Sequence, residues 1–147
     1  MIDKTKHTHS INHVCEKILN EIQCDFVGFA FQERVGPDIR WLVAAGNNNE
    51  KYKLISVRYG KGIAGRVIST GRPIIIEGFP NNILGKALEY PIMLAEKLVY
   101  SYAVPVNYKG VSKGVLLVGQ RTNAPLSNVE QEIVQTAALT IEEIMST

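Results

Sequence analysis

Gly60, Gly62 and Gly65 stand at the spacing G-x-G-x-x-G within the run YGKGIAGRVISTGRPIIIEG, Tyr59 to Gly78. Glycines so spaced let a backbone pass close to a ligand, and a helix opening behind them presents N–H groups with no intrahelical partner. Those groups carry partial positive charge, so the stretch can hold an anion without a charged side chain. The pyrophosphate of a dinucleotide is one such anion. An apolar run from Leu54 to Tyr59 precedes the turn, and Glu77 ends the next apolar run, Pro73 to Ile76, as the dinucleotide fingerprint would ask. That fingerprint also needs a parallel sheet joined by crossover helices. Here the helix from Ile63 to Thr70 makes only about two turns before Gly71, whereas a parallel crossover takes roughly a dozen residues or more. The turn therefore binds some smaller anion, or serves only to turn the chain and pack a helix on a sheet.

Other residue types capable of chemistry are few. Cys15 falls on an apolar position of the first helix and Cys24 at a helix-to-strand junction; neither has a base beside it in sequence or belongs to a C-x-x-C pair. Cysteine catalysis is not expected, and reduced thiols fit a cytoplasmic protein. His7, His9 and His13 all lie in or before the first helix. His9 and His13, four apart, could share a metal, but a solvated helix end is the expectation. No serine or carboxylate constellation stands out. The chain is expected to be no enzyme and to carry no metal or cofactor.

Positioning the glycine turn requires a sheet and helices around it. Ile11, Val14, Cys15, Ile18, Leu19 and Ile22 recur at helical spacing, with Thr8 or Ser10 as a cap. Val27, Phe29 and Phe31 alternate on one strand, Trp41, Val43 and Ala45 on the next, about a Gly36-Pro37-Asp38 turn. Lys53 to Tyr59 reads as a third strand and Arg72 to Gly78 as a short buried one. Phe79 to Leu94 lacks clean periodicity and reads as an irregular loop with a short helix; a loop that long inside a compact domain usually serves function. Two strands follow as a hairpin about Asn107 to Gly110. The last helix opens on a capping box, Ser127 with Glu130, and carries Val129, Ile133, Val134, Ala137, Ile141 and Ile144 as its apolar stripe. This order predicts an α+β domain over residues 1–147, with a six-stranded antiparallel sheet and the terminal helices on one face.

With 147 residues, 46% hydrophobic and 20% charged, the chain fits one ordinary globular domain. Lys and Arg outnumber Asp and Glu only 16 to 14, with no dense basic run, so nucleic acid is not an expected partner. No apolar run is long enough to span a bilayer and no secretory signal is readable, so neither membrane nor export is expected.

The run YGKGIAGRVISTGRPIII, then AVPVNYKGVSKGVLLVG, then the final helix, in this order of elements, resembles a GAF domain over essentially the whole chain. That resemblance implies a sensory ligand cleft between the sheet and the loops on its far side, opposite the terminal helices. Trp41 on the second strand, Gly62-Ile63-Ala64 at the helix start and Tyr90-Pro91-Ile92 at the end of the long loop are similar to the NreA-type nitrate receptors of bacterial two-component systems. In that family nitrate sits in a small, mostly apolar pocket. The resemblance implies that Trp41, Ile63, Ala64, Tyr90, Pro91 and Ile92 form it here, that a cytoplasmic sensor histidine kinase controlling nitrate respiration is the partner, and that Phe79 to Leu94 is the moving element. Arg66 and Arg72 are expected outside the pocket. GAF domains that reduce free methionine sulfoxide place cysteines near the ligand, where this chain has Ala64. A bilin or haem would need a cysteine or histidine in the cleft. A cyclic nucleotide would need a larger pocket and the N-K-x-F-D-E signature, which is absent. The remaining alternatives are another small anion and a ligandless dimerisation module, in which the terminal helices of two copies pack together.

Overall fold

The computed structural model describes residues 4–33 and 38–147. Chain order gives α1 (Lys4–Glu21), β1 (Phe26–Gln32), β2 (Asp38–Ala45), a 3-10 turn (Lys51–Leu54), β3 (Ser56–Arg58), α2 (Gly62–Thr70), β4 (Ile74–Ile76), a 3-10 turn (Ala87–Glu89), α3 (Pro91–Ala95), β5 (Tyr100–Tyr108), β6 (Val111–Gln120) and α4 (Asn128–Met145). The strands form one antiparallel sheet in the order β3-β2-β1-β6-β5-β4. This is the expected α+β architecture. It removes the dinucleotide reading, because α2 joins strands at opposite edges of an antiparallel sheet rather than neighbours in a parallel one.

Each face of the sheet carries its own core. On one, Ile11, Cys15 and Ile18 of α1, Ile22 just after it, and Val134, Ala138, Ile141 and Met145 of α4 pack on Val27, Phe29 and Phe31. On the other, Ile63, Val67 and Ile68 of α2 join Phe79, Tyr90, Ile92 and Met93 over Phe26, Ala30, Trp41 and Leu117. The Ser127–Glu130 capping box opens α4 as expected, Glu130 N–H donating to Ser127 Oγ at 3.1 Å and Ser127 N–H to Glu130 Oε1 at 2.8 Å. Lys109 and Gly110 turn the β5–β6 hairpin with both residues at positive φ, 53° and 80°, the twist that a two-residue connection prefers.

Local departures from the expectations have physical causes. Helix α1 starts at Lys4, so Thr8 and Ser10 lie inside it rather than capping it; His7 is buried and extends the core stripe one turn backward. The expected third strand shortens to Ser56–Arg58. Ahead of it, Asn49 Oδ1 accepts from Lys51 N–H at 2.8 Å and Asn47 donates to the Asn49 carbonyl at 2.7 Å, local bonds that favour a turn over a sheet-edge ladder. In α4, Val129 is exposed, set in the groove between α4 and α1 rather than in the core. Of the expected β1–β2 turn, Gly36 and Pro37 lie outside the described residues, and Asp38 begins β2.

The departure that matters most for the cleft is in β2. A strict strand would put Trp41, Val43 and Ala45 on one face. Pairing runs Phe29 with Val43 and Ala30 with Trp41, leaving Leu42 extra as a bulge. One inserted residue reverses the side-chain alternation. Val43 and Ala45 therefore pack beneath the terminal helices, while Trp41 and Ile39 face the opposite core.

Candidate functional site

The turn before α2 is built around close backbone contact. Lys61 N–H donates to the Arg58 carbonyl and Gly60 N–H to the Gly65 carbonyl, both at 2.9 Å. A Cβ on Gly65 would run into the Arg58 carbonyl, and Gly62 holds φ at +62°, where a side chain is strained. The glycines thus fold the end of β3 tightly onto the start of α2. No side chain caps that start. Ile63 and Ala64 are its second and third residues, positions whose N–H groups have no partner within the helix. Their side chains are buried.

A second helix start faces the same space. Tyr90 caps α3, Pro91 is its first residue and Ile92 its second. Proline suits that place because it has no N–H to satisfy and its φ is already helical. Tyr90 is 2% exposed and packs edge-on to Phe79, ring centroids 6.0 Å apart. Trp41, 3% exposed, reaches the space from the sheet through the β2 bulge. Trp41, Ile63, Ala64, Tyr90, Pro91 and Ile92 line one small cavity together with Val57 of β3, which the sequence reading did not name. Val57 precedes the glycine turn by three residues, and strand alternation from it was the available signal. The side chains close on one another so tightly that the space between them holds no free water.

This space is chemically unusual for an anion site. Apart from the Tyr90 phenol, nothing lining it titrates, so charge there would be met by N–H dipoles alone.

Arg66 lies outside the inner cavity, as expected, but is tied to its wall. Its Nη1 donates to Tyr90 Oη at 3.1 Å, and Tyr90 Oη donates to the Leu84 carbonyl at 2.7 Å. Arg66 thereby borders an outer mouth lined also by Gly60, Lys61, Gly62, Leu84, Gly85, Glu89 and Tyr90, with about 210 Å³ open to water. Arg72 is exposed, as expected.

The thiols lie elsewhere. Cys15 is buried beneath α4, and burial pushes its pKa up from the ordinary 9.0 to about 12; Cys24, also buried, is likewise pushed up to about 12, chiefly by burial. Both stay protonated at neutral pH, so neither offers a thiolate nucleophile. His9 and His13 stack edge to face on α1, whose core covers the face of the sheet opposite Trp41. At the far end of α3, buried Glu96 pairs with Arg121 and accepts Asn48 N–H at 2.9 Å, tying the helix to the sheet and to the loop after β2.

A family model for the GAF domain matches residues 8–146. No curated protein matches the chain. Among solved structures, a hypothetical protein from Staphylococcus aureus is 39% identical with a TM-score of 0.73, the match covering 81% of this chain and 98% of that one. A mutated NreA protein from the same organism, altered in its nitrate binding site, is 36% identical with a TM-score of 0.77, covering 86% of this chain and 94% of that one. The type II free methionine-R-sulfoxide reductase of Thermoplasma acidophilum is 15% identical with a TM-score of 0.75, covering 97% and 94%; at that identity the likeness is of fold alone.

Proposed function

This chain belongs to the GAF domain family, and from that premise we propose that it is a nitrate receptor, acting in the cytoplasm without catalysis by modulating a sensor histidine kinase that controls nitrate respiration. The observation that carries the proposal is the single cavity bounded by Trp41, Ile63, Ala64, Tyr90, Pro91 and Ile92, with two helix starts facing into it. The similarity to an NreA protein whose nitrate binding site was mutated supports the choice of ion.

Nitrate is planar, singly charged and weakly hydrated, so its removal from water costs less than that of phosphate. A few oriented N–H donors can balance it: the Ile63 and Ala64 amides at the positive end of α2, the Ile92 amide and the Trp41 indole. Pro91 shapes the wall and packs on the ion's face. Tyr90 closes the side. Chloride or nitrite meets the same donors, and selectivity among them is a matter of shape.

Output passes through another protein. The receptor inhibits the kinase when nitrate is absent, and nitrate relieves the inhibition. The segment from Phe79 to Leu94 is the element that moves, since Tyr90 and the start of α3 lie at its end. A ligand shifts such an equilibrium only by binding its two states unequally, and closure of this segment on the ion supplies the inequality. A second copy of the chain packs against the groove between α1 and α4, where Val129 is exposed.

Autophosphorylation of the cognate kinase, measured with and without the protein and with and without nitrate, tests the partner. The expected rate is lowest with protein and no nitrate. An unchanged rate in all four combinations would sink the kinase assignment even where nitrate binds.

A further inference from the structure

The inner cavity has no room for a free water, so an ion the size of nitrate reaches it only after a wall moves. The outer mouth beside it is open to water over about 210 Å³. Among the described residues, Tyr90 is the one that borders both spaces. Its ring is buried, yet its hydroxyl is held at the mouth by two bonds, accepting from Arg66 Nη1 at 3.1 Å and donating to the Leu84 carbonyl at 2.7 Å. The first ties the ring to α2 and the second ties it to its own loop, six residues back. Swinging the ring out of the wall breaks both.

We propose that Tyr90 is the gate between mouth and cavity, and that Arg66 is a positioning residue that latches it shut. The identity of the passing ion rests on the nitrate reading; the latch does not. Arg66 also brings positive charge to the mouth beside Lys61, opposite the carboxylate of Glu89, whose Oε1 is engaged by Lys86 N–H at 2.8 Å. A small anion approaching the mouth therefore meets the cation that holds the gate. An anion that draws the guanidinium to itself competes with Tyr90 Oη for it, which couples arrival to opening.

The chain has one tryptophan, and it lines the inner cavity, so Trp41 fluorescence reports the gate without any nitrate. The experiment is quenching of Trp41 by acrylamide, a neutral probe insensitive to the lost charge, in the wild type, Tyr90→Phe, Arg66→Met and the double variant. Tyr102→Phe serves as control. It removes another buried tyrosine's hydroxyl, which accepts from Gln135 at 2.8 Å on the terminal-helix face. Thermal melting of each variant checks the fold. Arg66→Met is expected to raise the quenching constant about fivefold, the shift that loss of one ordinary hydrogen bond gives, and Tyr90→Phe, which removes both bonds of the hydroxyl, to raise it at least as much. The double variant is expected to add little to Tyr90→Phe, because that change already removes the one bond that Arg66 makes to the ring. The latch is overturned if both single variants quench like wild type, if Tyr102→Phe quenches as much as they do, or if the two effects multiply. A parallel titration of the wild type with nitrate fails or succeeds independently, so loss of the nitrate reading is distinguishable from loss of the latch.

Discussion

Trp41 shows how a single inserted residue assigns a side chain to one face or the other. In sequence, Trp41, Val43 and Ala45 look like one alternating set, and nothing marks Leu42 as extra. The bulge is decided by pairing with β1, Phe29 to Val43 and Ala30 to Trp41, and pairing is not written in one strand alone. The partner of Arg66 was equally hard to foresee, because Tyr90 lies 24 residues on, in a loop whose periodicity is unreadable. By contrast Cys15 was legible: an apolar helical position predicts burial, and burial keeps its thiol protonated at neutral pH. The central prediction at this scale concerns Trp41. Trp41→Phe deletes the indole N–H but keeps most of the ring, so the fold is expected to survive. Nitrate affinity is expected to fall by about 1.5–3 kcal/mol, the worth of a hydrogen bond to a charged group. Isothermal titration of the variant reads this directly, and an unchanged affinity would assign Trp41 to packing alone.

At the scale of elements, the glycine turn posed a choice between ligand chemistry and packing, and its glycines serve packing visibly. Gly65 lets α2 sit against the Arg58 carbonyl, and Gly62 turns the chain into the helix. The same compact turn leaves the first N–H groups of α2 beside Val57 and Trp41 at the cavity. Gly65→Ala forces a Cβ into a backbone carbonyl that cannot yield as a flexible side chain would. The expected cost is about 1–3 kcal/mol of stability, read as a lower midpoint in urea unfolding; a midpoint equal to wild type would show that α2 can lift without penalty. Helix ends with side-chain caps or a following glycine were legible, as with the Ser127 box and the stop at Gly71. The start of α1 was not, because its stripe runs back through buried His7, a residue type that gives no apolar signal. The third strand was overread for a related reason: an apolar run at a sheet edge yields to the asparagine-held turn before it.

For the whole molecule, the sheet divides two jobs. The terminal helices cover one face with an apolar core, and the opposite face carries α2, α3 and the small cavity. No described helix is long and apolar enough to cross a membrane. Element order made this architecture readable from sequence, since hairpins, a two-turn helix and flanking amphipathic helices leave few ways to bury every apolar face. The size of the cavity was not readable, because it depends on how closely Tyr90, Trp41 and Ile63 approach across three separate elements. The measurement that bears most directly on this account is isothermal titration of anion-free protein with nitrate, with chloride and a cyclic nucleotide run alongside. The account predicts saturable heat for nitrate at a one-to-one ratio, without added metal, and none for the nucleotide. No heat with millimolar nitrate, or saturable heat with the nucleotide instead, would contradict it.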